Sequence, residues 1–148
     1  MRSPVNSSAL HVMQTLRLVC ACLDKARLIT TELYVLPPVY RLVQVTTDVT
    51  VDDRSDLAQV KTAIQTALLG YFHPLTGGED GQGWPFGGTI FYSRVYGRAT
   101  VPGVQSIDRL VISLDGFEAP ECTNVPLCGG ELAYSIAHTV NVSYAADT

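Results

Sequence analysis

Charged residues and long apolar runs are both scarce in this chain of 148 residues. Charged residues make up 16% of it, the formal net charge is −4 at pH 7, and no basic stripe suited to a phosphate backbone is present. No apolar run reaches the roughly 20 residues that a membrane-spanning helix needs, and the first residues lack the pattern of a signal peptide. We therefore expect no nucleic-acid partner, no membrane insertion and a cytoplasmic location.

Motifs for phosphate, calcium or nucleophilic chemistry are also missing. The glycine-rich stretch GGEDGQG lacks the Gly-Lys-Ser/Thr of a P-loop and the alternating oxygen ligands of an EF-hand. His11, His73 and His138 are scattered, and no motif supports a nucleophilic pair such as Cys128 with His138. The sequence thus predicts no enzyme, with no catalytic residue, no metal and no cofactor.

The four cysteines do not form a recognisable ligand set. Cys20 and Cys22 lie two apart on a predicted helix and point in different directions, so they should not pair with each other. Cys122 and Cys128 flank a turn-rich stretch, which is compatible with a local disulfide, half of a metal site or free thiols. We favour free, partly buried thiols, because a reducing compartment is expected.

Apolar periodicity predicts three helices. Residues 6–25 carry a single apolar stripe, with a cap at Asn6 or Ser7. A second helix is predicted to begin at a Ser55 cap with Asp56 in its first turn, and to end at Gly70. Residues 89–98 have the spacing of a short third helix, although their β-branched and aromatic residues also permit a strand. The predicted buried stripe of the second helix is Leu57, Val60, Ile64, Ala67 and Leu68.

Alternating and β-branched segments predict the strands. Residues 28–36 are β-rich and end at two prolines, and residues 40–51 form the clearest strand, long enough to contain a bulge. Residues 107–114 and 138–144 also alternate, whereas residues 117–130 should be irregular and Asp147 and Thr148 a frayed tail. We expect an α+β fold, with an antiparallel or mixed sheet, helices on one side and strands joined by hairpins.

The most unusual stretch is residues 77–88, in which six of twelve residues are glycine and the single tryptophan, Trp84, is followed directly by Pro85. Glycine permits close backbone approach, so we expect an ordered loop folded around one aromatic anchor. Trp84 and Phe86 are predicted to lie inside, and Tyr92 or Tyr96 outside at an interface. Arg94 and the arginine one helical turn later either pair with carboxylates of a partner or form a solvated face.

Three segments in order resemble the C-terminal part of baseplate J-like proteins: VNSSALHVMQTL, RLITTELYVLPPVYRLVQVTTDVTV, and LLGYFHPLTGGEDGQGWPFGGTIFYSRVYGRATVPGVQSIDRLVI. The most specific piece is PLTGGEDGQGWPFGGTIFYSRVY followed by PGV. Members of this family are longer wedge subunits of contractile phage tails and contractile injection systems, including tailocin-like particles. Taken in order, the three segments span residues 5–112 of the chain.

The resemblance implies a structural assembly role. A baseplate wedge would contact other wedge subunits, as like or unlike copies, together with the spike hub and the first sheath layer. It would be assembled in the cytoplasm and become part of a virion or an injection particle. Residues 1–27 would be a helix packing on neighbouring subunits, and residues 28–148 the family's C-terminal domain. The residues assigned to structure or interface are Gly77, Gly78, Gly83, Trp84, Phe86, Gly87, Tyr92, Arg94, Tyr96 and Gly103.

A different class of function remains open from the residues themselves. Mobile glycine-rich loops often cover binding sites, so residues 77–88 are also compatible with a lid over a ligand-binding or enzymatic pocket. That alternative requires convergent polar groups in a cavity beside the loop.

Overall fold

The sheet is built around one long strand, β1 (Val39–Val51). The structure is a computed structural model and describes residues 7–30, 32 and 34–146, with side chains described from residue 13 onward. The alternation predicted for β1 is confirmed. The buried residues of this strand all lie on one face: Val43, Val45, Thr47, Val49 and Val51.

The other strands pair with β1 in both directions. β2 (Val104–Leu114) is antiparallel to it, and β3 (Phe117–Glu118) pairs with the end of β2. β4 (Glu131–Tyr134) and β5 (Thr139–Tyr144) are both parallel to β1, along its first four residues and its second half. The described residues thus form a mixed five-stranded sheet, and the predicted α+β class is confirmed.

The predicted hairpins occur once among the described strands. Asp115 and Gly116 both have positive φ (50° and 86°), as the two-residue turn between β2 and β3 requires. The prediction that residues 117–130 are wholly irregular was wrong, because Phe117 and Glu118 form β3.

The antiparallel pairing of β1 with β2 contains two shifts of register. β1 and β2 are joined through helices instead of a hairpin.

Two helices, α2 (Leu57–Tyr71) and α3 (Tyr92–Ala99), share the core with the buried face of β1. The Asp56 carboxylate caps α2 by accepting from the backbone N–H of Ala58 and of Gln59, so the prediction of Ser55 as the cap was wrong. α2 also continues one residue beyond Gly70. Its fully buried side chains are Val60, Ile64, Leu68 and Tyr71, whereas the predicted Leu57 and Ala67 are only partly buried.

α3 begins later than predicted because Ile90 is held in an extended bridge with Val125. The side-chain oxygen of Asn124 then accepts from the backbone N–H of Tyr92 at 2.9 Å, at the first residue of the helix. The turn predicted at residues 102–104 is present, with Gly103 at φ 97°.

The chain divides into two compact units, residues 1–38 and 39–148, whereas the sequence suggested a boundary after residue 27. The first unit contains α1 (Ser7–Asp24), on which Met13, Leu18 and Leu23 are exposed. The predicted strand over residues 28–36 is wrong for the residues described there, which form no strand. The cap predicted at Asn6 or Ser7 and the tail at residues 147–148 lie outside the described side chains. In the described part of the chain, no helix is long and apolar enough to span a bilayer.

Candidate interface around the glycine–tryptophan loop

The indole of Trp84 closes the carboxyl end of α2. We call residues 74–88 the glycine–tryptophan loop. Trp84 is 8% exposed and lies parallel to the ring of Phe72, with centroids 5.6 Å apart, and edge-on to Tyr71 at 5.2 Å. Its Nε1–H donates to the backbone oxygen of Tyr71 at 2.6 Å. The predicted aromatic anchor is therefore buried, and it also satisfies a carbonyl that a helix end leaves without an internal partner.

The loop backbone donates further hydrogen bonds at this helix end, one of them to the same Tyr71 oxygen. The N–H of Gly78 donates to the oxygen of Tyr71, and the N–H of Gly77 donates to the oxygen of His73, both at 2.8 Å. The N–H of Gly83 donates to the oxygen of Gly77 at 2.9 Å, which folds the loop back on itself. These bonds join the loop and α2 in one hydrogen-bonded network.

Glycine is required at two of these positions for different reasons. A Cβ on Gly77 would lie 2.5 Å from the backbone oxygen of His73 and 2.8 Å from that of Gly70, so the helix end leaves no room for a side chain. Gly83 has φ 109°, a conformation that residues with a Cβ rarely adopt. The Gly-rich composition therefore reflects close packing against carbonyls and turn geometry at this site.

A carboxylate in the loop binds two side chains from different helices. Glu79 accepts from the hydroxyl of Tyr71 at 2.6 Å and from the guanidinium of Arg94 at 3.2 Å. Arg98 donates to the backbone oxygen of Glu79 at 3.3 Å and lies over the Tyr71 ring at 5.0 Å. Burial, followed by the hydrogen bond to Glu79, raises the pKa of Tyr71, so this phenol stays protonated as the donor.

Both arginines therefore contact their own chain. The sequence left open a partner's carboxylates or a solvated face for them. Arg94 and Arg98 are both exposed, and they also bond to Glu79 of the loop. Arg94 and Glu79 remain largely exposed, so their ion pair is screened by solvent and contributes less than about 1 kcal/mol.

The remaining aromatic residues divide differently from the prediction. Phe86 was expected inside but is 63% exposed, because Pro85 and Gly87 turn it away from the core. Tyr96 is exposed as predicted, and Tyr92 is partly buried with its ring 6.3 Å from that of Tyr96. The exposed Phe86 thus adds apolar surface beside the buried tryptophan.

Gly87 connects the loop to β4. Its N–H donates to the backbone oxygen of Glu131 at 3.0 Å, and its φ is 66°. The Glu131 carboxylate in turn bonds Arg41 of β1 at 2.6 Å, and Arg41 also pairs with Asp115. The hydrogen bond from the backbone N–H of Cys128 lowers the pKa of Glu131. Desolvation opposes this shift and Arg41 adds to it, so the pKa of Glu131 is lowered overall. The loop is therefore attached to the sheet as well as to α2.

An open groove of about 600 Å³ runs beside the loop. Its apolar lining includes Leu75, Trp84, Phe86 and Leu132, and Glu79 and Asp80 are its acidic members. Leu75 and Phe86, which we call the apolar rim, are exposed by 76% and 63%. The groove offers apolar contact area without a convergent set of catalytic groups.

No known protein-family model matches this chain, and no curated protein matches it. The likeness to baseplate J-like proteins therefore stays a prediction from the quoted segments.

His138 is built into the core just before β5. It is buried, and its Nδ1 accepts from the backbone N–H of Val45 at 3.0 Å. That bond leaves the proton of the neutral ring on Nε2, which lies 3.1 Å from the hydroxyl of Ser135 and must act as the donor there. The ring therefore has no free lone pair with which to take a proton from Ser135. Burial lowers the pKa of His138 to about 4.

The cysteines lie on the surface more than expected. All four are free thiols; Cys20 is partly buried, whereas Cys22, Cys122 and Cys128 are exposed. Both ring nitrogens of His138 have other partners, so the Cys128–His138 pair is not formed. Within the described residues, no group of three or more His, Cys, Asp and Glu side chains is arranged to hold a metal ion.

Three residues of this site were not singled out from the sequence: Tyr71, Phe72 and Glu79. The stretch LGYFHP contained a signal, because two aromatic residues follow the last helical turn where solvent exposure would otherwise be expected. Glu79 had no sequence signal of its own, since its partners come from α2 and α3.

Proposed function

We propose that this chain is a structural component of a baseplate wedge, in a contractile phage tail or a contractile injection system. In that role it links the spike hub to the sheath and to neighbouring wedges. The observation that carries the proposal is the segment PLTGGEDGQGWPFGGTIFYSRVY, followed by PGV, in its place after the two other family-like segments. The assignment rests on this resemblance.

Packing of the loop supports a scaffold role. The glycine–tryptophan loop bonds to the end of α2 through Gly77, Gly78 and Trp84, and to β4 through Gly87. A segment held at both ends can present a fixed surface, and a fixed surface lowers the entropy cost of association.

Exposed apolar side chains beside the loop support a contact with a partner. Leu75 and Phe86 both line the groove, and aromatic residues are enriched where protein interfaces form. We assign the apolar rim to contact with a neighbouring wedge subunit, because a large exposed aromatic ring is costly to leave in water.

The test is assembly of the particle in the organism that produces it. The coding region for these residues is deleted and sheathed particles are counted by electron microscopy. We expect none without the chain, and recovery when the wild-type chain is restored. A normal number of sheathed particles in its absence would overturn the proposal.

Two matched variants test the surface. Phe86→Ser removes the aromatic ring of the apolar rim, and Phe117→Ser removes another exposed ring from β3, which does not line the groove. Both should stay folded. We expect Phe86→Ser to lose particle assembly and Phe117→Ser to retain it; equal recovery would remove the apolar rim from the interface.

The alternative is a ligand-binding or enzymatic domain in which residues 77–88 act as a lid. The groove of about 600 Å³ beside the loop is the observation that favours it. A lid must open, so its backbone N–H groups should exchange with solvent far faster than those of β1. Hydrogen exchange at Gly78 and Gly83 tests this: protection close to that of β1 would count against the lid, and rapid exchange would favour it.

A further inference from the structure

β5 lies at an edge of the sheet and lacks the features that usually prevent an edge strand from pairing with another strand. Among the described residues it pairs with β1 on one side and with no strand on the other. Its sequence, TVNVSY, has no charge and no proline, and its pairing with β1 has no register shift. Natural edge strands are normally blocked by such features, because an open row of N–H and C=O groups pairs with another strand.

The same chain carries a β-rich segment that forms no strand in its described residues. In residues 28–36, Leu28 and Leu36 are about three-quarters exposed or more, and Ile29 is fully exposed. Five other residues of this segment are also β-formers or apolar. A segment of this composition is costly to leave in water, and burial against a sheet would remove that cost.

We propose that residues 28–36 of one copy add as a strand to the free edge of β5 in a second copy. Main-chain hydrogen bonds would supply the pairing, as in other cases of strand addition. Nine residues are enough to cover the six of β5. This inference concerns self-association and does not depend on a baseplate role.

A depression beside the edge fits the added side chains. It has a volume of about 370 Å³ and lies between α2 and β5. Alternate residues of an added strand face the same side, so Ile29 and Val35 would point together. We place that face over the depression, which is lined by Leu57, Ala58, Lys61, Val140, Asn141 and Val142.

The occupant is a second copy because each chain offers one donor segment and one acceptor edge. Such an interface is heterologous: the surface used on one subunit differs from that used on the next. Reciprocal exchange of the segment between two copies closes a dimer, whereas one-way addition closes into a larger ring or continues as a filament.

Sedimentation of the purified full chain over a wide concentration range tests the proposal. We expect self-association that increases with concentration. Thr139→Lys with Ser143→Lys places charge on the acceptor edge, and Ile29→Lys places it on the donor segment. Each should weaken association by about tenfold or more, because charged side chains, lysine above all, are the means by which natural edge strands prevent pairing. Thr62→Lys, on the exposed face of α2, and Leu18→Lys, on α1, are the matched controls and should associate like the wild type.

Mixing the two variants tests whether the added strand comes from a different copy. The acceptor variant keeps an intact donor, and the donor variant keeps an intact edge. An equimolar mixture should form a one-to-one pair that stops there, at concentrations where each variant alone is monomeric. A wild-type chain that is monomeric at every concentration, variants that associate like the wild type, or a mixture that does not pair would each overturn the proposal. The last result would also be expected if residues 28–36 fold onto the edge of their own chain.

Discussion

Gly77→Ala is the sharpest test of how the glycine–tryptophan loop is packed. The added Cβ would lie 2.5 Å from the backbone oxygen of His73 and 2.8 Å from that of Gly70, and nearer still to that of Tyr71. These atoms belong to the backbone at the end of α2, so no side chain can rotate away. The loop must move, and the hydrogen bond from the Gly77 N–H to His73 must lengthen.

The magnitude follows from those contacts. Overpacking costs about 1–3 kcal/mol, and each weakened hydrogen bond costs about 1 kcal/mol. We expect Gly77→Ala to lower the free energy of unfolding by about 3 kcal/mol, which corresponds to about 10 °C in the melting midpoint. The Gly78 N–H should also exchange faster, because its bond to Tyr71 shares the distortion.

Gly70→Ala is the matched control, seven residues earlier in the chain. A Cβ at Gly70 meets nothing within 4 Å, and the residue lies inside α2. Alanine should therefore stabilise the helix by up to about 1 kcal/mol. Chemical denaturation and thermal melting of both variants provide the measurement. If Gly77→Ala melts at the wild-type midpoint, the loop does not approach the helix end in this way and the reasoning fails.

Three further predictions concern side chains. Trp84→Ala should cost about 4 kcal/mol in chemical denaturation, because it empties a buried site, whereas the exposed Phe86→Ala should cost under about 0.5 kcal/mol; equal costs would contradict the burial. Burial lowers the pKa of His138 from 6.5 to about 4, so between these pH values the unfolded chain holds a proton that the folded chain does not. Stability should fall by up to about 3 kcal/mol as pH drops across that window; His138→Gln should reduce this fall, and an unchanged fall would show that another group causes it. Glu79→Gln should speed hydrogen exchange in the loop, because a neutral amide accepts more weakly than the carboxylate, and unchanged exchange would show that this carboxylate does not hold the loop.

The long strand β1 shows what a local sequence pattern can predict. Strict alternation over β1 identified its buried face correctly, because side chains of a strand alternate between two sides whatever its neighbours are. The same reasoning failed for residues 28–36. Their β-rich composition predicted a strand, but a strand exists only where another strand pairs with it, and no pairing is found for the described residues of this segment.

Helix ends were predicted less well than helices. Ser55 and Asp56 are both good capping residues, and composition does not decide which one turns its side chain toward the free N–H groups. The geometry of the chain leaving β1 decides it in favour of Asp56. Gly70 was likewise a reasonable end for α2, but the loop's donors satisfy the carbonyls beyond it and allow the helix to continue to Tyr71.

In the glycine–tryptophan loop, too, the sequence predicted some features and missed others. Glycine density and a single tryptophan predicted a folded loop with a buried anchor, and Trp84 is buried. Phe86, two residues later, was predicted inside and is exposed, because the turn at Pro85 and Gly87 reverses its direction. The contact of Arg94 with Glu79 could not be predicted from the sequence either, since it joins residues from separate elements.

Local periodicity and turn chemistry, which depend on neighbours a few residues away, therefore determined most elements of this protein and its α+β class. The tertiary structure alone decided the parallel pairing of β4 and β5 with β1, the burial of His138 against Val45 and the attachment of the loop to α2. Each of these joins residues distant in sequence, or depends on which backbone donor meets which carbonyl in space. No local pattern contains that information, because it arises when the elements pack.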